Sequence, residues 1–258
     1  MLEHLGRHPA GCTLQELSTA TGIPKPSLHR ILASMRGRGF AAQLQSGGVY
    51  VLGPAALEAA FTFHAKLDLR RLLHPLVLAV NDTFGQTSHL AVLAGPNIVY
   101  VDKVEADIGI RITSVVGGRN PAHATGVGKA LLARELPDDA AVRGWVAEHG
   151  PLAKRTPTTS TTAPALAKEL RATRERGYAI DDEESEQGVL CVAALVPLVF
   201  GDLTPPTAIS VTGLRQRMVE LGIERIGREL LVLIRSFEFA STPTGSAGSA
   251  ESQSGESA

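Results

Sequence analysis

The sequence predicts an α+β protein of two domains: a winged helix-turn-helix at the N-terminus, a connecting helix, and a larger domain mixing strands with helices. Three observations predict it. Residues 1–52 read as three short amphipathic helices followed by two extended runs. The 41 positions from Leu17 to Leu57 hold no Asp or Glu, where an even spread of the chain's 26 would place about four. From residue 88 onward, strand-like and helical runs alternate.

The first helix carries Leu2 and Leu5 on one face and stops near Pro9-Ala10-Gly11. Thr13 with Glu16 three residues on is a capping-box pattern for a second helix, which Gly22 ends. Ile23-Pro24 turns the chain into a third helix. There Leu28, Ile31, Leu32 and Met35 form an i, i+3, i+4, i+7 stripe facing inward, and Gly37 and Gly39 stop it. The runs FAAQLQ and VYVL around Ser46-Gly47-Gly48 read as a hairpin, the wing. This assigns residues 1–53 to the winged helix and 54–66, opening on Pro54, to a linker helix.

The second domain spans residues 67–239. It opens with a helix over DLRRLLHPLVLAVNDTFG, followed by strands at SHLAVLA, NIVYVDKV and IRITSVV. Helices are expected over GKALLAREL, DDAAVRGWVAEHG and APALAKELRATRERG, the last ending at Gly177. Strands YAID, VLCVAALVPLV and TAISVTG come next. A last helix carries Val219, Ile223, Ile226, Leu230, Ile234 and Phe237 on one face. Residues 240–258 are mostly Ser, Gly, Ala and Glu, a composition that stays disordered.

Composition narrows the function classes. Hydrophobic residues at 44% and charged residues at 20% are ordinary globular values, and the formal net charge is -1. The two cysteines, Cys12 and Cys191, have no CxxC partner, which argues against a disulfide framework or a structural zinc site and for a reducing compartment. MLEHLGRHPAG lacks the apolar core of a signal peptide, and no run approaches the length of a membrane helix. A cytoplasmic protein is therefore expected. No GxSxG elbow, HExxH helix or Rossmann fingerprint is present, so an enzyme is not expected.

Within the stretch free of carboxylates lie Lys25, Arg30, Arg36 and Arg38. Cations gain near a phosphate backbone and carboxylates are repelled from it. With the apolar stripe turned inward, Lys25, Ser27, His29, Arg30 and Ser34 remain to reach base edges or phosphates. Charge together with helix–turn–helix–hairpin order points to double-stranded DNA.

The run LQELSTATGIPKPSLHRILASMRGRGFAAQLQSGGVYVLG closely resembles the winged helix of the IclR family of transcriptional regulators, with TGIPKPSLHRIL opening the recognition helix and Tyr-x-Leu-Gly at 50–53 closing the wing. The resemblance implies that Lys25, Ser27, His29 and Arg30 face DNA, with Arg36 or Arg38 near phosphates. In one departure, the first helix begins almost at Met1, where the family carries several more residues.

The segment GGRNPAHATGVGKALLA is not a phosphate loop, because His123 stands where glycine is needed and Ala130 where Ser or Thr is needed. A glycine-rich turn entering a helix still presents free amides and a positive dipole end, which suits a small carboxylate; a tight packing turn reads equally well. Here too the resemblance adds something. GRNPAHATGVGKALLA, GYAIDDEESEQGVLCVAALV and AISVTG are similar to three stretches of the IclR effector domain, an α/β fold similar to GAF sensors with a mainly antiparallel sheet.

That resemblance implies a pocket for a small organic or aromatic acid. Gly126 and Val127 would offer backbone amides, Asp181 would accept a hydrogen bond, and Ser210 and Thr212 would add hydroxyls. Ile112, Asn120, Val189 and Cys191 would form the walls. Asn120 stands where the family often has an apolar side chain, which suits a more polar ligand. On residue chemistry alone, the run Asp181-Asp182-Glu183-Glu184 also reads as a solvated loop, and Cys191 as a buried small hydrophobe. Ser210 and Thr212 alternate with Ile209 and Val211, so both hydroxyls share one strand face. His123 reads as a support for the glycine turn.

The expectation is a ligand-responsive, DNA-binding regulator without cofactor or metal. It would be a homodimer or homotetramer on a palindromic operator, acting as repressor or activator. The alternative is a sensor working through protein contacts with little DNA binding.

Overall fold

The computed structural model describes residues 1–44, 48–59, 69–107, 114–197 and 205–237. The chain divides into two compact units, Met1–Leu69 and Arg70–Ala258. Among the described residues, no helix is long and apolar enough to cross a membrane.

In the first unit, α1 (Leu2–Arg7), α2 (Leu14–Thr21) and α3 (Lys25–Gly37) precede a two-stranded antiparallel sheet of β1 (Ala41–Gln43) and β2 (Tyr50–Leu52). Residues 54–59 are helical (α4). The predicted capping box is complete: the Thr13 hydroxyl accepts from the Glu16 amide, and the Glu16 carboxylate accepts from the Thr13 amide at 2.7 Å. Gly22 caps α2 in the left-handed region, and the Ser18 hydroxyl donates to the Ile23 carbonyl at 2.7 Å, fixing the turn into α3. The core gathers Leu5, Cys12, Leu17, Leu28, Leu32, Ala41 and Tyr50. Two apolar residues expected inside are not. Leu2 is exposed, and Ile31 is 38% exposed because it lies on the outer side of α3, next to Arg30.

The second unit is built on one six-stranded, wholly antiparallel sheet in the order β5-β4-β3-β8-β7-β6. Its strands are β3 (Thr87–Ala94), β4 (Asn97–Val104), β5 (Arg119–Pro121), β6 (Ala179–Asp182), β7 (Val189–Val196) and β8 (Thr207–Leu214). The helices are α5 (Leu69–Phe84), α6 (Gly126–Glu135), α7 (Asp139–His149), α8 (Ala163–Arg176), α9 (Arg215–Leu221) and α10 (Ile223–Ser236). A core of Val127, Leu131, Leu166, Leu170 and Ala193 joins α6, α8 and the sheet.

Two expectations change. The described end of the predicted IRITSVV strand, residues 114–116, lies in no strand; the strand here is β5, three residues long and paired with β4. The predicted last helix is two, because Gly222 takes φ 86° between α9 and α10 and leaves Val219 exposed. The predicted linker beyond residue 59 and the tail from 240 lie outside the described residues.

Candidate functional site

Each unit carries a candidate site. In the first, α3 presents Lys25, Ser27, His29, Arg30, Ser34 and Arg36 on its exposed surface, and Arg38 caps its end, also exposed. Burial of Leu28 and Leu32 at 0% exposure sets this orientation, since it turns the intervening positions outward. The Arg36 guanidinium donates to the Gln43 side-chain carbonyl of β1 at 2.8 Å, tying the end of α3 to the wing. Gly53 closes the wing where no side chain fits: a Cβ there would lie 2.1 Å from the Gly39 carbonyl oxygen.

In the second unit, a small cavity of about 40 Å³ lies where the N-terminus of α6 meets the sheet. Register builds its floor. Asp181 pairs with Cys191 and Cys191 with Thr212, so these three side chains form one row across β6, β7 and β8. Ser210, two residues along β8, pairs with His89 of β3. The hydroxyls of Ser210 and Thr212 are 3.3 Å apart, on the shared face that their alternation predicts.

The roof is the first turn of α6. Thr125 caps it and its hydroxyl accepts from the Gly128 amide at 3.2 Å, while the Gly126 and Val127 amides find no acceptor among the described residues. Close approach requires glycine at two places. A Cβ at Gly126 would sit 2.7 Å from the Cys191 sulfur, and one at Gly128 would sit 2.2 Å from the Ala122 carbonyl oxygen.

Of the residues expected here, Asn120, Gly126, Val127, Asp181, Val189, Cys191, Ser210 and Thr212 line this one cavity, whereas Ile112 lies outside the described residues. His89, Tyr100, Ser114, Thr125, Ser185 and Glu186 join them. Only local oddities mark these in the sequence, such as a histidine directly before the apolar run LAVLA. The Asn120 amide donates to the hydroxyl of Tyr100, which also lines the cavity, at 3.3 Å.

Electrostatics follow from burial. His89, at 2% exposure, is held neutral with its pKa lowered to about 3, first by desolvation and then by the Lys103 charge. Its ring lies 2.7 Å from the Ser114 hydroxyl and 3.4 Å from those of Ser210 and Thr212. Burial likewise pushes the Tyr100 hydroxyl up to about 12 and the Cys191 thiol up to about 11, so both keep their protons near neutrality. His123, in the short turn before α6, bonds the Ala153 carbonyl at 3.1 Å.

The acidic run separates by burial. Asp182 pairs with Arg215 at the surface, and the Glu183 carboxylate accepts from the Gly188 amide. Glu184 is buried and forms an ion pair with Lys129, which is 0% exposed. The Asp181 carboxylate accepts from the Glu184 and Ser185 amides at 2.8 and 3.2 Å, yet burial raises its pKa to about 7 against the opposing pull of Lys129.

That raised value sets a sign. Folding binds the Asp181 proton, so its contribution to stability is complete below about pH 4 and is lost as the pH climbs through about 7. Between about pH 5 and about pH 9, wild-type protein is expected to lose roughly 2–4 kcal/mol more unfolding free energy than Asp181→Asn. Urea melts at the two pH values measure this, and parallel losses would disprove it.

Residues 61–236 match the family model described as the bacterial transcriptional regulator IclR C-terminal domain, and residues 1–45 match the IclR helix-turn-helix domain. The HTH-type transcriptional regulator XynR of Escherichia coli K12 is 32% identical over 84% of both chains. The crystal structure of the Thermotoga maritima IclR superposes with a TM-score of 0.59 at 25% identity, covering 90% of this chain and 93% of that one. An IclR homolog from Microbacterium hydrocarbonoxydans, solved with 4-hydroxybenzoate, superposes with a TM-score of 0.66 at 24% identity, covering 87% and 90%.

Proposed function

Because the chain belongs to the IclR family of bacterial transcriptional regulators, we propose that it grips a DNA operator through the exposed face of α3 and that a small organic or aromatic acid held below α6 modulates the grip. The protein is a DNA-binding regulator with an N-terminal helix-turn-helix and a C-terminal effector domain. The finer reading rests on one observation: two amides at a helix N-terminus, without an acceptor among the described residues, line the same cavity as Asp181, Ser210 and Thr212.

A carboxylate at the Gly126 and Val127 amides gains from two donors and from the positive end of the helix. The opposite wall, with Asp181, Ser210, Thr212, His89 and the Tyr100–Asn120 pair, offers hydrogen bonds to a hydroxyl or carbonyl on the same molecule. A hydroxy or keto acid satisfies both ends better than a plain fatty acid does. The cavity's small volume means that wall side chains give way as an acid enters, so acids at the small end of the class fit first.

An acid shifts operator affinity only as far as it favours one arrangement of the protein over another. The rest of the reading is a homodimer or homotetramer in the cytoplasm on a palindromic operator.

Thermal unfolding against a panel of hydroxy, keto and aromatic acids, 4-hydroxybenzoate included, is the direct test. Ligand at about 100 times its dissociation constant stabilises the native state by about 2.7 kcal/mol. The shift is expected for at least one acid and is expected to vanish in Asp181→Ala. A panel that moves nothing, or a shift that survives Asp181→Ala, overturns this pocket as the acid site.

A further inference from the structure

We propose that His4, His8 and Cys12 form a site for a divalent transition-metal ion of the zinc class, inside the DNA-binding unit and independent of the acid pocket. The sequence-based expectation of no structural zinc site rested on the missing CxxC partner. Histidine donors from α1 supply what a second cysteine would have supplied.

Four observations converge. The ligand atoms of the three residues all lie within 4.8 Å of one another. Tetrahedral zinc with nitrogen at about 2.0–2.1 Å and sulfur at about 2.3 Å holds its ligand atoms about 3.4–3.6 Å apart. Closing on an ion therefore takes side-chain movements of about an ångström, and His8 is exposed and His4 half-buried, free to make them.

The imidazoles are already stacked, with ring centroids 4.3 Å apart. His8 has its tautomer set as well. Its Nδ1 lies 2.8 Å from the His4 carbonyl oxygen, and a carbonyl only accepts, so Nδ1 carries the hydrogen and the lone pair of the neutral ring sits on Nε2. A metal-binding histidine is usually oriented by this kind of bond from its other nitrogen.

Cys12 supplies a fixed anchor. Its backbone exchanges two hydrogen bonds with Tyr50 of β2, at 2.9 and 2.7 Å, and the residue is buried, at 3% exposure. Two imidazoles and a thiolate prefer zinc, cobalt or copper to magnesium or calcium. Three protein donors with an exposed His8 leave a fourth position to solvent. A bound ion would tie α1 to the strand that closes the wing.

The test is titration of the reduced, tag-free, full-length protein with Co²⁺, followed by displacement with Zn²⁺. One equivalent of cobalt is expected to bind with a thiolate-to-cobalt charge-transfer band that zinc removes. The band is expected to be absent in Cys12→Ser. His8→Gln alters an exposed side chain and leaves the core intact, so it decides the matter even if the Cys12 variant fails to fold; it is expected to weaken binding at least about tenfold. Folded wild-type protein without the band, or His8→Gln binding cobalt as wild type does, overturns the site.

Discussion

Exchanging Lys25 and Arg30 together for Glu is expected to weaken operator binding from roughly thirty-fold to more than ten-thousand-fold per protomer, taking about 1–3 kcal/mol for each lost contact. Both side chains are exposed on α3, and among the described residues neither makes an ion pair, so the exchange leaves the packing of Leu28 and Leu32 untouched. The replacements also place carboxylates in a stretch that has none from Leu17 to Leu57, directly against the phosphates. The measurement is fluorescence anisotropy at fixed salt on a duplex selected from random DNA by the wild-type protein, with thermal melting as the control for folding. A folded variant of unchanged affinity would refute the assignment of this face. The salt dependence of binding is expected to flatten in the same variant, because fewer counterions are released.

The second large effect concerns the pair that holds α6 in place. Glu184→Gln is expected to destabilise the protein by about 3–5 kcal/mol, since it leaves the Lys129 ammonium fully buried without its partner. Lys129 sits three residues along α6 from Gly126, and Glu184 lies in the loop between β6 and β7, so the pair joins the two sides of the cavity. Replacing both, as Lys129→Met with Glu184→Leu, is expected to recover most of the loss, because no uncompensated charge remains. Urea unfolding of the two variants and the wild type gives the comparison. A Glu184→Gln protein within about 1 kcal/mol of wild type would show that Lys129 has found water or another anion, and the bridging role would fall.

Much of the first unit was legible because its signals are local. Thr13 and Glu16 are three residues apart, Gly22 is where a left-handed cap must be, and Leu28 and Leu32 share a helix face at i, i+4. The outer face of α3 follows from that stripe by subtraction. The same periodicity misplaced Ile31, since an apolar residue at the margin of a stripe belongs to whichever side the neighbouring helix leaves uncovered. It also ran through Gly222, where a single positive φ breaks a helix that the apolar pattern carries on without interruption.

The cavity divides along the same line. By itself, the sequence determined the kinds of group available: a glycine turn entering α6, two hydroxyls on one face of a strand, and an acidic run, with the family resemblance grouping them. Only the tertiary structure decided which of those groups meet and how they are charged. The order β5-β4-β3-β8-β7-β6 sets β3 against β8, so His89 reaches Ser210 and Thr212 across 121 and 123 residues of chain, and Lys129 finds Glu184 across 55. The same packing buries Asp181 and moves its pKa to about 7, while Asp182 next to it stays at the surface with Arg215. Residue type sets what a side chain can donate, accept or ionise. Its exposure to water, which decides whether it does so, is a property of neighbours that only the folded chain brings together.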